Sequence, residues 1–444
     1  MFFVLLSLTA SNVEAAANAA ESAGAQREAL ESQAPVADSD VVLDGALAPY
    51  LHLALRDSPQ LKAAYAAWDA EVRSIQGAST LPEPTLGFGI FLRSVETRVG
   101  PQQAKVSLQQ SLPWPTELTG RHDAAVAQAR VAQAQFDAVV LQVNAQVLQA
   151  YWTVWEVRAT RRTHSAHVVV LEDLSATLRA RLETGSATLA DVQQVDLTRA
   201  RLEDALLSLD ARERRAVASL RAVIGGTPGE LPTLQDPFQA QQPVLDLQQV
   251  TQLALEHPLI GAAGAQEDAA QAAVQVAQSQ RAPGLTLGVD WIPTGPAAMD
   301  DAQSGKDAVM LGVGFRVPLW QRAYAEDVRA KAAVQDLRAA QSEGLRLQLS
   351  AQVEDAYIRV LDGVRRVDVV QYSLLPQAEG TYTSLLGSYA VGKANVAQVL
   401  LAQRDLLELQ ILLDSEQAEL QRSWAELEAL CGRPLERRGT EPTP

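Results

Sequence analysis

The sequence repeats itself. Leu53-Ala54-Leu55 with Pro59 returns as Leu253-Ala254-Leu255 with Pro258, and Thr85-Leu86-Gly87 returns as Thr286-Leu287-Gly288. Pro113-Trp114 is matched by Pro318-Leu319-Trp320. Ala145-Gln146-Val147-x-x-Ala150-Tyr151-x-x-Val154 recurs identically as Ala351-Gln352-Val353-x-x-Ala356-Tyr357-x-x-Val360. Gly185-x-Ala187-x-x-Ala190-x-Val192 recurs as Gly392-x-Ala394-x-x-Ala397-x-Val399, and Leu220, Ala222 and Gly225 recur as Leu427, Ala429 and Gly432. The order never changes, so the chain is two copies of one unit, and whatever one copy folds into the other must also build.

Each copy follows the same plan. A helix of about 25 residues opens it (roughly 56–80, then 251–281), two short strands follow, and two long helices joined by a tight turn close it. Between Gly120 and Gly185 lie 64 residues without Gly or Pro, about 96 Å of helix at ~1.5 Å per residue. Two further runs of 39 residues, Ser186–Ile224 and Lys393–Cys431, also lack a breaker. Globular helices average about 11–12 residues. Val399, Leu406, Leu413, Leu420 and Leu427 form one seven-residue stripe, and Val195, Leu202, Leu209, Ala216 and Val223 form another. A seven-residue period predicts left-handed coiled-coil packing. In the second copy Gly344, Gly363, Pro376 and Gly380 interrupt the first long helix, which predicts a kink or break.

Composition narrows the function classes. Only 5% of residues are aromatic while 47% are hydrophobic, with alanine making up much of that fraction, which favours narrow helices packed closely. The net charge, 37 − 53 = −16, repels a phosphate backbone and argues against nucleic acid. One cysteine, Cys431, rules out an intrachain disulfide and a thiolate cluster. His164-x-x-His167 has a spacing that could set two imidazoles on one helical face, but no Glu-x-x-His partner accompanies it, and it reads as solvated helix. No phosphate loop, dinucleotide fingerprint or nucleophile elbow occurs. The expectation is no enzyme, no cofactor and no metal site.

The strands carry the sharpest signal. Val309, Leu311, Val313, Phe315 and Val317 alternate with Met310, Gly312, Gly314 and Arg316; Leu285, Leu287, Val289 and Trp291 alternate with Thr286, Gly288 and Asp290. In the first copy Leu86, Phe88, Ile90 and Leu92 alternate with Thr85, Gly87 and Gly89, although Phe91 breaks the pattern. Val106 and Leu108 alternate more weakly with Lys105, Ser107 and Gln109. Such strands, apolar on one face and polar or glycine on the other, read as transmembrane β-strands. Leu86, Phe88, Leu287, Val289, Leu311, Val313 and Phe315 are then the lipid-facing residues, with polar extracellular loops at 93–104 and 292–308. No window of about 18 apolar residues is present to form a membrane-spanning helix. Four strands do not close a barrel, and open edges in lipid leave backbone groups unsatisfied. Several chains must therefore contribute strands, two giving eight and three giving twelve. The competing reading is a non-channel coiled-coil scaffold of the periplasm.

The domain boundaries follow. Residues 1–17 read as a signal peptide, with an apolar core Phe2–Ala10 and a cleavage site at Ala15-Ala16-Ala17, and 18–45 as a disordered segment. The first repeat spans 46–226, with strands at about 84–92 and 104–112 and a helical hairpin at 117–225. A linker covers 227–250. The second repeat spans 251–432, with strands at about 285–292 and 309–317 and a hairpin at 320–431, and 433–444 is a flexible tail.

Across nearly all of residues 45–432 the chain resembles the TolC-type outer-membrane efflux proteins. The resemblance rests on the duplication, on Ala54-Leu55-x-x-x-Pro59 with Ala254-Leu255-x-x-Pro258, and on the strand exit Gln110-Ser111-Leu112-Pro113-Trp114-Pro115. It rests also on the turns Leu182-x-x-Gly185-x-Ala187-x-x-x-Asp191-Val192 and Tyr389-x-x-Gly392-x-Ala394-x-x-x-Gln398-Val399. It implies a mainly α fold with transmembrane β: a homotrimer with a 12-stranded barrel in the outer membrane of a Gram-negative bacterium and a 12-helix coiled-coil barrel in the periplasm. It implies as partners outer-membrane lipid, a periplasmic adaptor (membrane fusion) protein and an inner-membrane pump of the RND type, and a channel that itself performs no chemistry. Gly185, Ala187, Gly392 and Ala394 would form the adaptor-docking tips. Relatives narrow the periplasmic mouth with acidic residues on the second-copy hairpin; here that hairpin offers Gln398, and the first-copy hairpin carries Asp191 and Asp196. An acidic gate would come from the first copy. Pro113-Trp114-Pro115 resembles members that serve heavy-metal pumps.

Overall fold

In the computed structural model the described residues are 46–226, 232–236, 240–297, 302 and 304–439. The expected signal peptide and disordered segment lie outside them, as do 227–231 and 237–239 of the linker and 440–444 of the tail.

The first copy runs α1 (Leu47–Asp57), α2 (Pro59–Ala78), β1 (Thr85–Thr97), β2 (Gly100–Leu112), α3 (Pro115–Glu183) and α4 (Leu189–Val223). After a short strand β3 (Gln241–Pro243), the second copy runs α5 (Leu247–Ala254), α6 (Pro258–Ser279), β4 (Gly284–Ile292), β5 (Ala308–Arg316), α7 (Gln321–Val369), α8 (Leu375–Ala390), α9 (Val396–Cys431) and a final strand β6 (Arg437–Gly439). The single opening helix expected in each copy is two helices, because Pro59 and Pro258 lack an N–H and stop the preceding helix while favouring the first position of the next.

Only one of the four expected interruptions breaks the long second-copy helix. α7 passes through Gly344 and Gly363 unbroken. Gly363 serves a close approach instead: a Cβ there would stand 3.3 Å from Leu420 Cδ1 on α9. The break is a π-helical turn at Val370–Leu374 ahead of Pro376. A proline removes one helical donor and crowds the carbonyl four residues back, and a widened turn relieves both.

The chain forms two compact units. One comprises Ala66–Ala134 and Gly261–Gly344 and holds the four-stranded sheet β1-β2-β4-β5, all neighbours antiparallel. Its helices meet through small residues: Ala262, Ala265, Ala270, Ala272 and Ala277 of α6 are buried, and a Cβ on Gly120 would come within 2.8 Å of Val276 Cγ2. The first hairpin corrects the expected loop at 93–104. Its strands continue to Thr97 and restart at Gly100, leaving a two-residue turn. A bulge between Ile90 and Val95 accounts for the break at Phe91.

The other unit contains α1 and the start of α2, Gln135–Ile260, and the chain from Leu345. Tyr50, Tyr151, Trp152 and Trp155 stack edge to face in one core, with Tyr50 to Tyr151 at 5.5 Å. A second core surrounds fully buried Trp424, whose indole N–H donates to Gln241 O at 3.1 Å. The heptad residues Val399, Leu406, Leu420 and Leu427 are buried, as are Val195 and Leu209. The expected flexible tail is corrected at its start: β6 pairs with β3, and Arg437 stacks over the Trp424 ring at 4.4 Å.

Candidate channel and docking sites

The sheet separates two chemistries. Cross-strand pairing puts Leu86 beside Leu108, Leu108 beside Val289, and Val289 beside Leu311, so one face is apolar across all four strands. On it Phe88, Ile90, Leu311 and Phe315 are 76, 80, 65 and 67% exposed. Of the seven residues expected on this face, Leu86, Phe88, Val289, Leu311, Val313 and Phe315 are exposed, while Leu287, flanked by strands on both sides, is half-buried. The opposite face carries Gly87, Gly89, Gly288, Gly312 and Gly314 with Lys105, Asp290 and Arg316, and the Lys105 ammonium meets the Asp290 carboxylate at 2.8 Å. Among the described residues β1 and β5 each have one neighbour in this sheet, so both of its edges are open there. Trp114 and Trp320 follow the strands at one end, and Trp291 lies toward the other. The Trp114 indole donates to Pro283 O at 2.8 Å, tying the first-copy strand exit to the second-copy strand entry.

The two hairpin turns are built alike. Gly185 and Gly392 adopt left-handed φ of +73° and +75°. Ser186 N donates to Arg181 O and Gly185 N to Leu182 O; Lys393 N to Ser388 O and Gly392 N to Tyr389 O repeat the arrangement. This is the double-bonded C-terminal cap that glycine favours. Each turn then opens the next helix with a capping box. Thr188 Oγ1 accepts from Asp191 N at 3.2 Å, while Asp191 Oδ2 accepts from Thr188 N at 3.0 Å and from its hydroxyl at 2.7 Å. Asn395 Oδ1 accepts from Gln398 N at 2.9 Å, and Gln398 Oε1 from Asn395 N at 3.0 Å.

Two of the three expected gate residues, Asp191 and Gln398, are therefore the third residues of matching capping boxes, a pattern readable in the sequence as Thr-x-x-Asp and Asn-x-x-Gln. The third, Asp196, takes hydrogen bonds from Ser175 Oγ at 2.7 Å and Arg179 at 2.9 Å. The Ser175 bond first, and then Arg179, hold its carboxyl below the usual range. Asp196 clamps α3 to α4. Ala187 packs against a buried tip cluster of Leu171, Leu178, Val192, Val396 and Val399, and Ala394 is half-buried.

Residues outside the expected set join the two repeats. The Arg181 guanidinium lies 4.8 Å from the Tyr389 ring centroid and donates to Tyr389 O and Ala390 O at 3.3 and 3.2 Å. His167, expected as a solvated helix residue, is buried between α3 and α9: Gln403 Nε2 donates to its Nδ1 at 2.7 Å, and its Nε2 donates to Gln410 Oε1 at 2.8 Å. Burial lowers the His167 pKa, and only partly does the Gln410 bond offset it. One turn on, Thr163 Oγ1 donates to Asp414, whose pKa burial pushes up to about 6. His164 bonds to Thr160 O of its own helix at 2.9 Å. Periodicity did not reveal this line because glutamine and histidine are ordinary on a helix surface.

A family model described as outer membrane efflux protein matches residues 50–226 and 250–433. The chain belongs to the outer membrane efflux protein family. Among curated proteins this outer membrane efflux protein is similar to the cobalt-zinc-cadmium resistance protein CzcC of Cupriavidus metallidurans, 25% identical over 413 residues, which cover 87% of this chain and 90% of CzcC. Among solved structures it is similar to the outer membrane protein VceC of Vibrio cholerae (TM-score 0.73, 21% identity, 88% of this chain and 97% of that one). It is similar also to CusC (TM-score 0.74, 16% identity, covering 90% and 95%) and to the MtrE outer membrane channel of Neisseria gonorrhoeae (TM-score 0.70, 15% identity, covering 92% and 96%). The protein is thus an outer-membrane efflux channel.

Proposed function

We propose that three copies of this chain form the passive exit duct of a tripartite efflux system. In this reading the sheets close into a 12-stranded barrel in the outer membrane, and the helical hairpins form a periplasmic tunnel that meets an adaptor and an RND-type pump. The observation that carries the reading is a four-stranded sheet with one exposed apolar face and two open edges. Apolar area of that extent is disfavoured in water, and unpaired edges are disfavoured in lipid; joining β1 of one copy to β5 of the next removes both problems. Strands of nine residues, ~3.3 Å each, suffice for a tilted crossing. The glycine and polar face would line the lumen, and the tips around Gly185, Ala187, Gly392 and Ala394 would meet the adaptor. Asp191, rather than Gln398 or the clamped Asp196, would supply negative charge at the periplasmic mouth. The name of the CzcC relative makes cobalt, zinc and cadmium the first cargo to assay.

The test is extraction from outer membranes in detergent, cross-linking and planar-bilayer recording. A ladder ending at trimer with single-channel conductance supports the duct. A monomer soluble without detergent, or a ladder ending at dimer, overturns it; the former would favour the coiled-coil scaffold.

A further inference from the structure

The apolar packing of α3 against the rest of its unit is interrupted between Ala159 and Leu171, about 18 Å of helix at ~1.5 Å per residue. Ala159 belongs to the core around Tyr151 and Trp155, which also takes Ala418 of α9. Leu171 belongs to the tip cluster, which takes Val399 and Leu400 of α9. The one buried residue of α3 between them is His167. At this height polar groups join the two helices. Gln403, 2% exposed, donates to His167 Nδ1, His167 Nε2 donates to Gln410 Oε1, and Thr163 donates to Asp414. Gln403, Gln410 and Asp414 follow one another at spacings of seven and four, positions that a coiled coil ordinarily fills with apolar side chains. Polar residues there cost stability, and their best-attested uses are register and switching.

We propose that this layer is a proton-responsive joint between the two hairpins: an imidazolium at His167 parts α3 from α9 here while the clusters above and below stay packed. A neutral imidazole has one acceptor and one donor, and His167 meets one donor and one acceptor. An imidazolium donates from both nitrogens, so its Nδ1–H would face the Gln403 amino group, donor against donor in a buried site. Among the described residues the charge that acts on His167 is that of His164 on its own helix. On α9 Arg404 pairs with Asp405 and Glu408, and Glu416 pairs with Arg366 of α7, where Asp368 is also engaged. On α4 Glu203 pairs with Arg199, and Asp204 is exposed. Asp414 is acted on by Arg162, Asp236 and Glu156. Burial holds the His167 pKa below its ordinary 6.5, so its contribution to stability is full above that value and is lost as pH falls. Asp414 runs the opposite way, so a global unfolding midpoint mixes the two and a local measurement is needed. The joint lies within one chain and does not depend on the duct reading; in a duct it would free the tips under acid.

The experiment is hydrogen–deuterium exchange on the full-length, detergent-extracted protein, read as protection factors of peptic peptides from pH 7.5 to 4.5. The expected result for wild type is a loss of protection of about fivefold or more over 160–170 and 403–414, with peptides around Trp152, Leu178 and Trp424 unchanged. His167→Gln never charges and can bond both glutamines, so it should show no such loss. Gln403→Glu gives the imidazolium a carboxylate to donate to and should also abolish the loss; it decides the matter if His167→Gln does not fold. Asp414→Asn should keep the loss. Wild type without a local loss, as when the Gln403 amide turns over to present its oxygen, overturns the proposal. So does a loss that persists in His167→Gln or Gln403→Glu, or one that vanishes in Asp414→Asn.

Discussion

Val313 and Gly312 are adjacent on β5, and an arginine at each should give opposite outcomes. Val313 pairs with Leu287 in the middle of the strand and is 51% exposed on the apolar face. Gly312 points to the opposite face, where a Cβ would find only Gly288 O within 4 Å, at 3.9 Å. Neither site is sterically blocked, so the difference between them is solvation. Arginine on a lipid face near the midplane costs ~2–4 kcal/mol per copy, and in the proposed trimer three distant copies would add to ~6–12 kcal/mol. On the proposed lumen face an arginine keeps its water and, in the proposed trimer, would add three positive charges to the pore. Val313→Arg should lower yield in the outer-membrane fraction and the urea midpoint of protein refolded into vesicles. Gly312→Arg should leave both near wild type and lower cation conductance. Equal tolerance of the two substitutions, or a greater loss of stability at Gly312, would refute the assignment of faces.

Thr188→Ala should cost ~1 kcal/mol of tip stability by removing the cap, whereas Asp191→Asn keeps an acceptor for Thr188 N and should change stability little while reducing cation selectivity in bilayers; unchanged selectivity would remove Asp191 from the mouth. Arg181→Ala loses the contact over Tyr389 and both carbonyl bonds, about 1–2 kcal/mol, and should raise resting conductance while trimer content stays constant. Tryptophan at Ala394 should abolish efflux in a complementation assay while trimers form normally. For Asp414, a carboxyl raised from 3.8 to about 6 is protonated more readily in the folded state, so its contribution to stability falls as pH rises from about 4 to 6 and is level above. Raising it that far is worth up to about 3 kcal/mol, so Asp414→Asn should be more stable than wild type at pH 7–8 and indistinguishable at pH 4, as followed by Tm against pH.

The long-range plan was legible because each of its signals is periodic. Duplication fixed the order of elements, breaker-free runs gave the lengths of α3, α4 and α9, and alternation gave the faces of all four strands. What escaped was set by single contacts. Gly363 reads as a helix breaker, yet its missing side chain makes room for Leu420. Residues 93–97 and 100–104 read as loop because they are polar, yet the bulge after Ile90 returns Val95 to the apolar face and the strands continue. His167, Gln403 and Gln410 meet across 236 and 243 residues of sequence, and no local pattern encodes such a pairing.

The capping boxes suggest why the two copies differ in charge at their tips. Position three of the box must place one acceptor on the backbone N–H of the cap residue, and aspartate and glutamine both do so. The fold therefore constrains that position to a short list of side chains without constraining its charge. Asp191 brings a negative charge to the positive end of α4, which the helix dipole favours, while Gln398 closes the equivalent turn of α9 without one. In a threefold assembly, acidic and neutral tips would then alternate around the mouth, three of each. In that assembly, exchange at this one position would change the electrostatics of the mouth while the turn itself is preserved.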